Sequence, residues 1–247
     1  MQYDRIAQAT FLRRPNRFVA GVLLDGQEVR CHVKNTGRCR ELLVPGATVY
    51  VQRHDEPGRR TACSLITVDR EGELINMDSQ APNRVAASWL QSGHGFLQNG
   101  CLRPLVLRPE TVFEDSRFDF YAETPGPSGK VQRHFIEVKG VTLEENGVAR
   151  FPDAPTTRGE KHVRGLIRAQ QQGMQGHVLF VVQMACAHKV VPNEQTDPAF
   201  AEALRQAKQA GVHLCAAVCQ VEPDSLIITE EIPVEVSYWQ QRKEKRS

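Results

Sequence analysis

Arg117-Phe118-Asp119-Phe120-Tyr121-Ala122 and, one turn later, His134-Phe135-Ile136-Glu137-Val138-Lys139 form the stretch on which the reading of this chain turns. Both runs are rich in aromatic and β-branched residues and read as strands. Pro125-Gly126-Pro127-Ser128-Gly129 between them is a dense turn signal. Side chains two apart on a strand share a face. Glu137 and Lys139 therefore point one way, and Ile136 and Val138 the other. Phe118 and Phe120 flank Asp119 and are expected to place both rings in the opposite layer. A hairpin centred near Ser128 sets Asp119 across from Glu137.

Working outward, residues 10–80 read as short strands with turns between them. Arg17 to Leu24 stops at the hairpin signal Asp25-Gly26, and Phe18 in that run reads as core. Val29 to Val33, Thr48 to Val51 and Ala62 to Val68 follow. That spacing fits a small closed barrel or sandwich, and an OB-type barrel among them. Pro82-Asn83 reads as a junction, dividing the chain into residues 1–82 and 83–247. A helix is predicted from about 83 to 91, and Leu105 to Arg108 is a further strand. Thr157-Arg158-Gly159-Glu160 is a capping-box pattern opening a helix that ends before Gly173. Val178-Leu179-Phe180-Val181-Val182 is the continuous apolar run of a strand covered on both faces. Asp197-Pro198 caps another helix, and the strand Leu214 to Val221 follows. The β-α-β order implies a parallel pair and an α/β layer architecture.

Two carboxylates facing each other across a sheet repel unless a cation lies between them. Mg2+ or Mn2+ takes oxygen ligands and retains waters, so Asp119 and Glu137 suffice as protein metal ligands. Lys139 on the same face supplies positive charge for an attacking water or a developing phosphorane. Asp119, Glu137 and Lys139 are thus the candidate catalytic set. A lone Glu-x-Lys is more often a solvated strand face. What raises this one above that is the helix that follows. Its Arg158, Lys161, Arg164 and Arg168 share a stripe opposite Val163, Leu166 and Ile167, leaving the basic side and the helix N-terminus for phosphates.

The net charge is only +2, with hydrophobic residues at 40% and charged residues at 24%, so composition by itself names no partner. The first residues show no signal-peptide pattern and no apolar run reaches membrane-span length, which gives the expectation of a cytoplasmic chain with no membrane partner. Seven cysteines without a C-x-x-C pair argue against a zinc ribbon or disulfide framework, and Cys186, Cys215 and Cys219 read as core. In the first region Arg17, Lys34 and Arg38 are candidate phosphate contacts. Asn35-Thr36-Gly37-Arg38 is equally a phosphate-holding turn or a plain structural one. No helix-turn-helix signature is visible, so DNA is the expected partner without sequence-specific readout. Two Trp and four Tyr make sugar-stacking platforms scarce. Self-association as a homodimer stays open.

Taken in order, several stretches resemble the sugar fermentation stimulation protein family of bacteria and archaea. They are Arg14-Pro15-Asn16-Arg17-Phe18, His32 to Cys39, Glu41 to Gly46, Ser116 to Phe120, Ile136 to Leu143 and Phe151 to His162. The resemblance implies an OB-fold followed by a restriction-endonuclease-like, PD-(D/E)xK α/β sheet domain. It also implies DNA binding with little sequence preference, and a link to sugar (maltose) metabolism. Asp119, Glu137 and Lys139 match that motif. Many enzymes of the superfamily add a glutamate from the helix before the sheet. Here that helix has no acid, and Glu110 or Glu114 are the nearest substitutes.

Overall fold

The computed structural model describes residues 1–35, 37, 39–55, 58–93, 104–126 and 129–237. Thr36, Arg38 and Cys101 fall outside the described residues.

The chain begins with a closed five-stranded barrel of β1 (Ile6–Asn16), β2 (Val19–Leu24), β3 (Gln27–Val33), β4 (Thr48–Arg53) and β5 (Cys63–Arg70). Strands β3-β2-β1-β4-β5 are neighbours in that order, and a parallel β3–β5 pairing closes the ring, the connectivity of an OB barrel. β6 (Glu73–Asn76) adds to β5 as a hairpin. Alternate residues such as Phe11, Val22, Val33, Val49, Val51 and Leu65 fill the interior. The strand that sequence alone did not resolve is β1, whose inward positions include two small alanines among Gln, Thr and Arg. Phe18 corrects an expectation. It sits on the β1–β2 turn, its N–H donating to Asn16 Oδ1 at 2.9 Å, and is 51% exposed.

Helix α1 (Ala81–Gln91) leads into a second six-stranded sheet. Its antiparallel meander is β7 (Val106–Phe113), β8 (Ser116–Pro125) and β9 (Val131–Val141). Parallel strands β12 (Gln175–Val182) and β14 (His213–Glu222) join β9, and β15 (Ser225–Ile232) completes the order β15-β14-β12-β9-β8-β7. Helices α2 (Thr157–Gln171) and α3 (Pro198–Gln209) connect the parallel strands. A small sheet of β10 (Leu143–Glu145), β11 (Val148–Phe151) and β13 (Lys189–Pro192) sits beside them. α1 covers one face, packing Ala81, Val85, Ala86 and Leu90 with Phe120, Ile136, Val138 and Leu179. α2 covers the other, packing Val163, Leu166 and Ala169 with Phe118, Phe135 and Phe180.

The caps explain where the helices start. Thr156, rather than Thr157, is the N-cap of α2: its hydroxyl accepts from Gly159 N at 3.0 Å. Asp197 serves two helices at once. Its Oδ1 accepts from Phe200 N at 2.9 Å and its Oδ2 from Thr156 N at 2.8 Å. Cys215 and Cys219 are buried as expected, but Cys186 is exposed.

Barrel and sheet are joined by polar groups. Lys34 Nζ lies 3.0 Å from Asp78 Oδ2, whose side chain is fully buried. Gln183, at the end of β12, donates from Nε2 to Asn76 O and Oδ1 at 3.0 Å and to Asp78 O at 3.1 Å. Arg70 of the barrel pairs with buried Glu144 at 2.5 Å.

Candidate active site

The β8–β9 ladder has the register expected from a turn near Ser128, running from Pro125↔Val131 to Phe120↔Ile136. It stops there. Asp119 is the next residue, and its Oδ2 accepts from Val138 N at 2.7 Å in place of a backbone partner. On the other side of β8 the ladder passes from Pro109↔Phe120 to Thr111↔Phe118, skipping Glu110, which has a left-handed φ of 54°. The distortion turns the strand over. Phe120 keeps to the α1 face, whereas Phe118 packs toward α2, 5.3 Å from the Phe135 ring and 6.0 Å from His162. The expectation that both rings share a layer is therefore corrected. The strict period of two fails at the carboxylate itself.

Glu137 and Lys139 share the α2 face. Lys139 Nζ donates to Glu137 Oε1 at 2.6 Å. His162, on the first turns of α2, places Nδ1 at 2.6 Å from the same oxygen. Glu137 is 3% exposed, and its Oε2 is buried with no hydrogen-bond partner. Asp119 Oδ1 accepts from Asn83 Nδ2 of α1 at 2.8 Å. The sequence reading brought together Asp119, Glu137 and Lys139. It did not assign His162 or Asn83, although His162 follows α2's cap by six residues, the right spacing to return to the sheet.

The two acids sit in opposite electrostatic states. Burial and the negative charge of Glu137 push the Asp119 carboxyl above its ordinary range, against the Val138 N–H and the Asn83 amide. Burial also acts to raise Glu137, but the His162 hydrogen bond and Lys139 outweigh it, and its carboxyl is held low. Among the described residues no group of three or more His, Cys, Asp or Glu is gathered around one point. A cation here would be held by two carboxylates and water. The orphaned Glu137 Oε2 and the Asp119 carboxylate are oxygen donors of the kind a hard divalent ion takes.

Glu110 and Glu114, the nearest substitutes for the helix acid, are each engaged by an arginine. Glu110 pairs with Arg117 at 2.8 Å, and Glu114 with Arg168 at 2.7 Å. The α2 stripe is exposed at Arg158, Lys161 and Arg164. Lys161 pairs with Asp115 at 3.3 Å, and Arg164 with Glu160 at 2.9 Å. Such surface pairs contribute about 0–1 kcal/mol and exchange readily for another anion. Arg17 is exposed on the barrel, whereas Lys34 is committed to Asp78. Arg38 lies outside the described residues. A cavity of about 410 Å³ lies away from the carboxylates, between Leu143, Arg150 and the 193–196 segment. The candidate acids of the β8–β9 edge, Glu137 buried and Asp119 half-buried, do not line that cavity.

A family model described as the SfsA N-terminal OB domain matches residues 12–77. A second, the sugar fermentation stimulation protein RE domain, matches residues 80–225. The chain belongs to the sugar fermentation stimulation protein family. Homologs bearing that family's name include one from Clostridium beijerinckii, 47% identical over 235 residues and covering 95% of this chain and 99% of its own. Another, from Desulfitobacterium hafniense, is 49% identical over 227 residues, covering 92% and 94%. The solved structure of Pyrococcus furiosus SfsA in complex with Ca2+ superposes with a TM-score of 0.81 at 27% identity, covering 95% of this chain and 98% of that one. No helix among the described residues is long and apolar enough to cross a membrane.

Proposed function

We propose that this member of the sugar fermentation stimulation protein family binds DNA with little sequence preference, and that Asp119, Glu137 and Lys139 form a Mg2+- or Mn2+-dependent phosphodiester-cleaving site. The observation that carries the reading is Glu137 Oε2, buried and without a hydrogen-bond partner, beside a carboxylate whose ionisation the fold disfavours. The Ca2+ in the Pyrococcus furiosus relative supports a divalent ion for this fold. When bound, the ion supplies Lewis acidity and a water of lowered pKa. Asp119 and Glu137 hold it. His162 fixes Glu137 Oε1 and leaves Oε2 available, and Lys139 sets an ammonium where phosphorane charge builds. Arg158, Lys161, Arg164 and Arg17 are the proposed backbone contacts.

Cleavage of single- and double-stranded oligonucleotides with Mg2+ or Mn2+ tests this, with affinity measured separately in Ca2+. Lys139→Ala is expected to lower cleavage by about 10²–10³-fold and leave affinity within a few-fold. Equal cleavage by wild type and Lys139→Ala would assign the activity to a contaminant and end the proposal. A second reading, a non-catalytic DNA-binding regulator of sugar (maltose) metabolism genes, is favoured by Asn83. α1 offers Asp119 an amide where related enzymes offer an acid. Tight binding with no cleavage at any metal concentration selects it.

A further inference from the structure

A second recess begins one residue beyond Lys139. It is a cleft of about 190 Å³ at the carboxyl ends of the parallel strands β9 and β12. In open α/β sheets that end is where ligands bind. Its walls come from both parts of the molecule: Asn35, Gly37 and Ser79 from the barrel side, and Gly140 to Leu143, Arg150, Phe151, Asp153 and Gln183 from the sheet side. The volume is below the roughly 300–1,000 Å³ of a drug-sized pocket, so it admits one nucleoside unit and excludes duplex.

The lining chemistry selects a base over a phosphate. Arg150 and Asp153 contribute one charge of each sign, and the other polar groups are neutral amides and hydroxyls. Among the described residues the charges of the wall balance, and a phosphate gains little from such a balance. A nucleobase edge presents donors and acceptors together and matches such a wall. Arg150 Nε is buried without a hydrogen bond; Glu145 Oε2, at 3.3 Å, forms an ion pair off hydrogen-bond alignment. Phe151, half-buried, lines the cleft, and its ring is braced by Phe180 at 5.8 Å and Phe200 at 5.2 Å; an aromatic neighbour is what an unstacked base contacts. Gly140 lets Pro82 and Gln183 pack close against the cleft wall, since a Cβ there would meet Pro82 Cγ at 2.6 Å and Gln183 Oε1 at 2.7 Å.

We propose that this cleft receives one unstacked nucleobase of the strand bound at Asp119, Glu137 and Lys139, which makes single-stranded or locally unpaired DNA the substrate class. The inference rests on the DNA-binding reading above. Pulling a base from an intact duplex carries an unstacking penalty that a single strand does not.

Photocrosslinking of a short single strand bearing 5-iododeoxyuridine, bound in Ca2+, tests it without requiring turnover. Iodouracil couples to aromatic side chains in van der Waals contact, and the adduct is expected on Phe151. Phe151→Leu is expected to lose the adduct. Asp153→Ala, an exposed position that leaves the aromatic cluster intact, is expected to weaken single-strand binding several-fold while leaving duplex binding unchanged. Wild type is expected to bind the single strand about ten-fold more tightly than the fully paired duplex. Binding with adducts only outside the cleft, or with equal affinity for duplex, overturns the cleft assignment and leaves the DNA reading standing. Absence of binding to either strand form overturns both.

Discussion

Asp119 is the residue at which fold and chemistry compete. Its carboxyl is half-buried, and burial together with the charge of Glu137 pushes it above its ordinary range. Asp119→Asn removes that charge and still offers an oxygen to the Val138 N–H. The variant is expected to hold or raise Tm in metal-free buffer, and to lack the Tm increase in Mn2+ that the proposed site predicts for wild type, both read by thermal denaturation. His134 gives a second, independent expectation. It is 1% exposed, bonded to Thr124 Oγ1 at 2.9 Å and His177 Nε2 at 3.0 Å, and burial lowers its pKa from 6.5 to about 4. The folded state prefers the neutral ring, so this contribution is complete above pH 6.5 and is lost as pH falls toward 4. Tm measured across that window should drop, and His134→Gln should flatten part of the drop. At this scale the sequence was legible for Glu137 and Lys139, because a strand's alternation decides which side chains share a face. It was silent on His162 and Asn83, which reach the site from helices whose docking no local pattern encodes. It misled at Phe118, because a ladder broken by a side-chain acceptor does not keep its period.

At the scale of elements, the site depends on how closely α2 approaches the sheet. Gly165 makes that approach: a Cβ there would meet Ser116 Oγ at 2.9 Å and Phe118 Cζ at 3.0 Å. Gly165→Ala is expected to cost about 1–3 kcal/mol in urea unfolding. It should also lower cleavage more than Arg164→Ala does, because it moves His162 away from Glu137. The helix starts are tied together through Asp197. Thr156→Ala removes one cap and is expected to cost about 1 kcal/mol, and Asp197→Ala, which frees two N–H groups, about twice that. The caps are the kind of local signal that sequence carries well. Asp197-Pro198 was read correctly, and α2's cap was displaced by one position because Thr156 and Thr157 are chemically alike. β1 escaped notice for the converse reason. Its buried face is built partly from alanine, which signals no strand, and its pairing to β2 and β4 supplies the missing preference.

At the scale of the whole molecule, barrel and sheet are tied together where the segment between β6 and α1 meets Gln183, and a buried charge anchors that segment. Asp78, in the segment between β6 and α1, has no exposed side-chain surface; it takes its countercharge from Lys34, just after β3, and its backbone carbonyl accepts from Gln183 of the sheet side. Removing one partner of such a pair leaves an uncompensated charge in the interior. Lys34→Ala is expected to destabilise by about 3–5 kcal/mol. Lys34 thus emerges as the anchor of the segment that leads from the barrel into α1. If it also met phosphate, its loss would lower the salt slope of DNA binding by about one, as expected for Arg17→Ala. An unchanged slope with a lowered Tm separates the two roles. The broad order of strands and helices was readable from hydrophobic period and turn chemistry. This joint was not, because its residues lie far apart in the chain and each is unremarkable alone.

The ladder that ends at Phe120↔Ile136 has one more consequence. Because the side chain at 119 closes the hydrogen bond that β9 would otherwise leave open, selection for a folded sheet retains an acceptor there whether or not the protein turns over substrate. Lys139 is under no such obligation, since its bond ends on Glu137 and on nothing in the backbone. In lineages that abandon the chemistry, position 139 should drift first, position 119 should settle on Asp or Asn, and Ala should be excluded. The pair then works as a historical record, with the lysine registering activity and the aspartate registering the sheet.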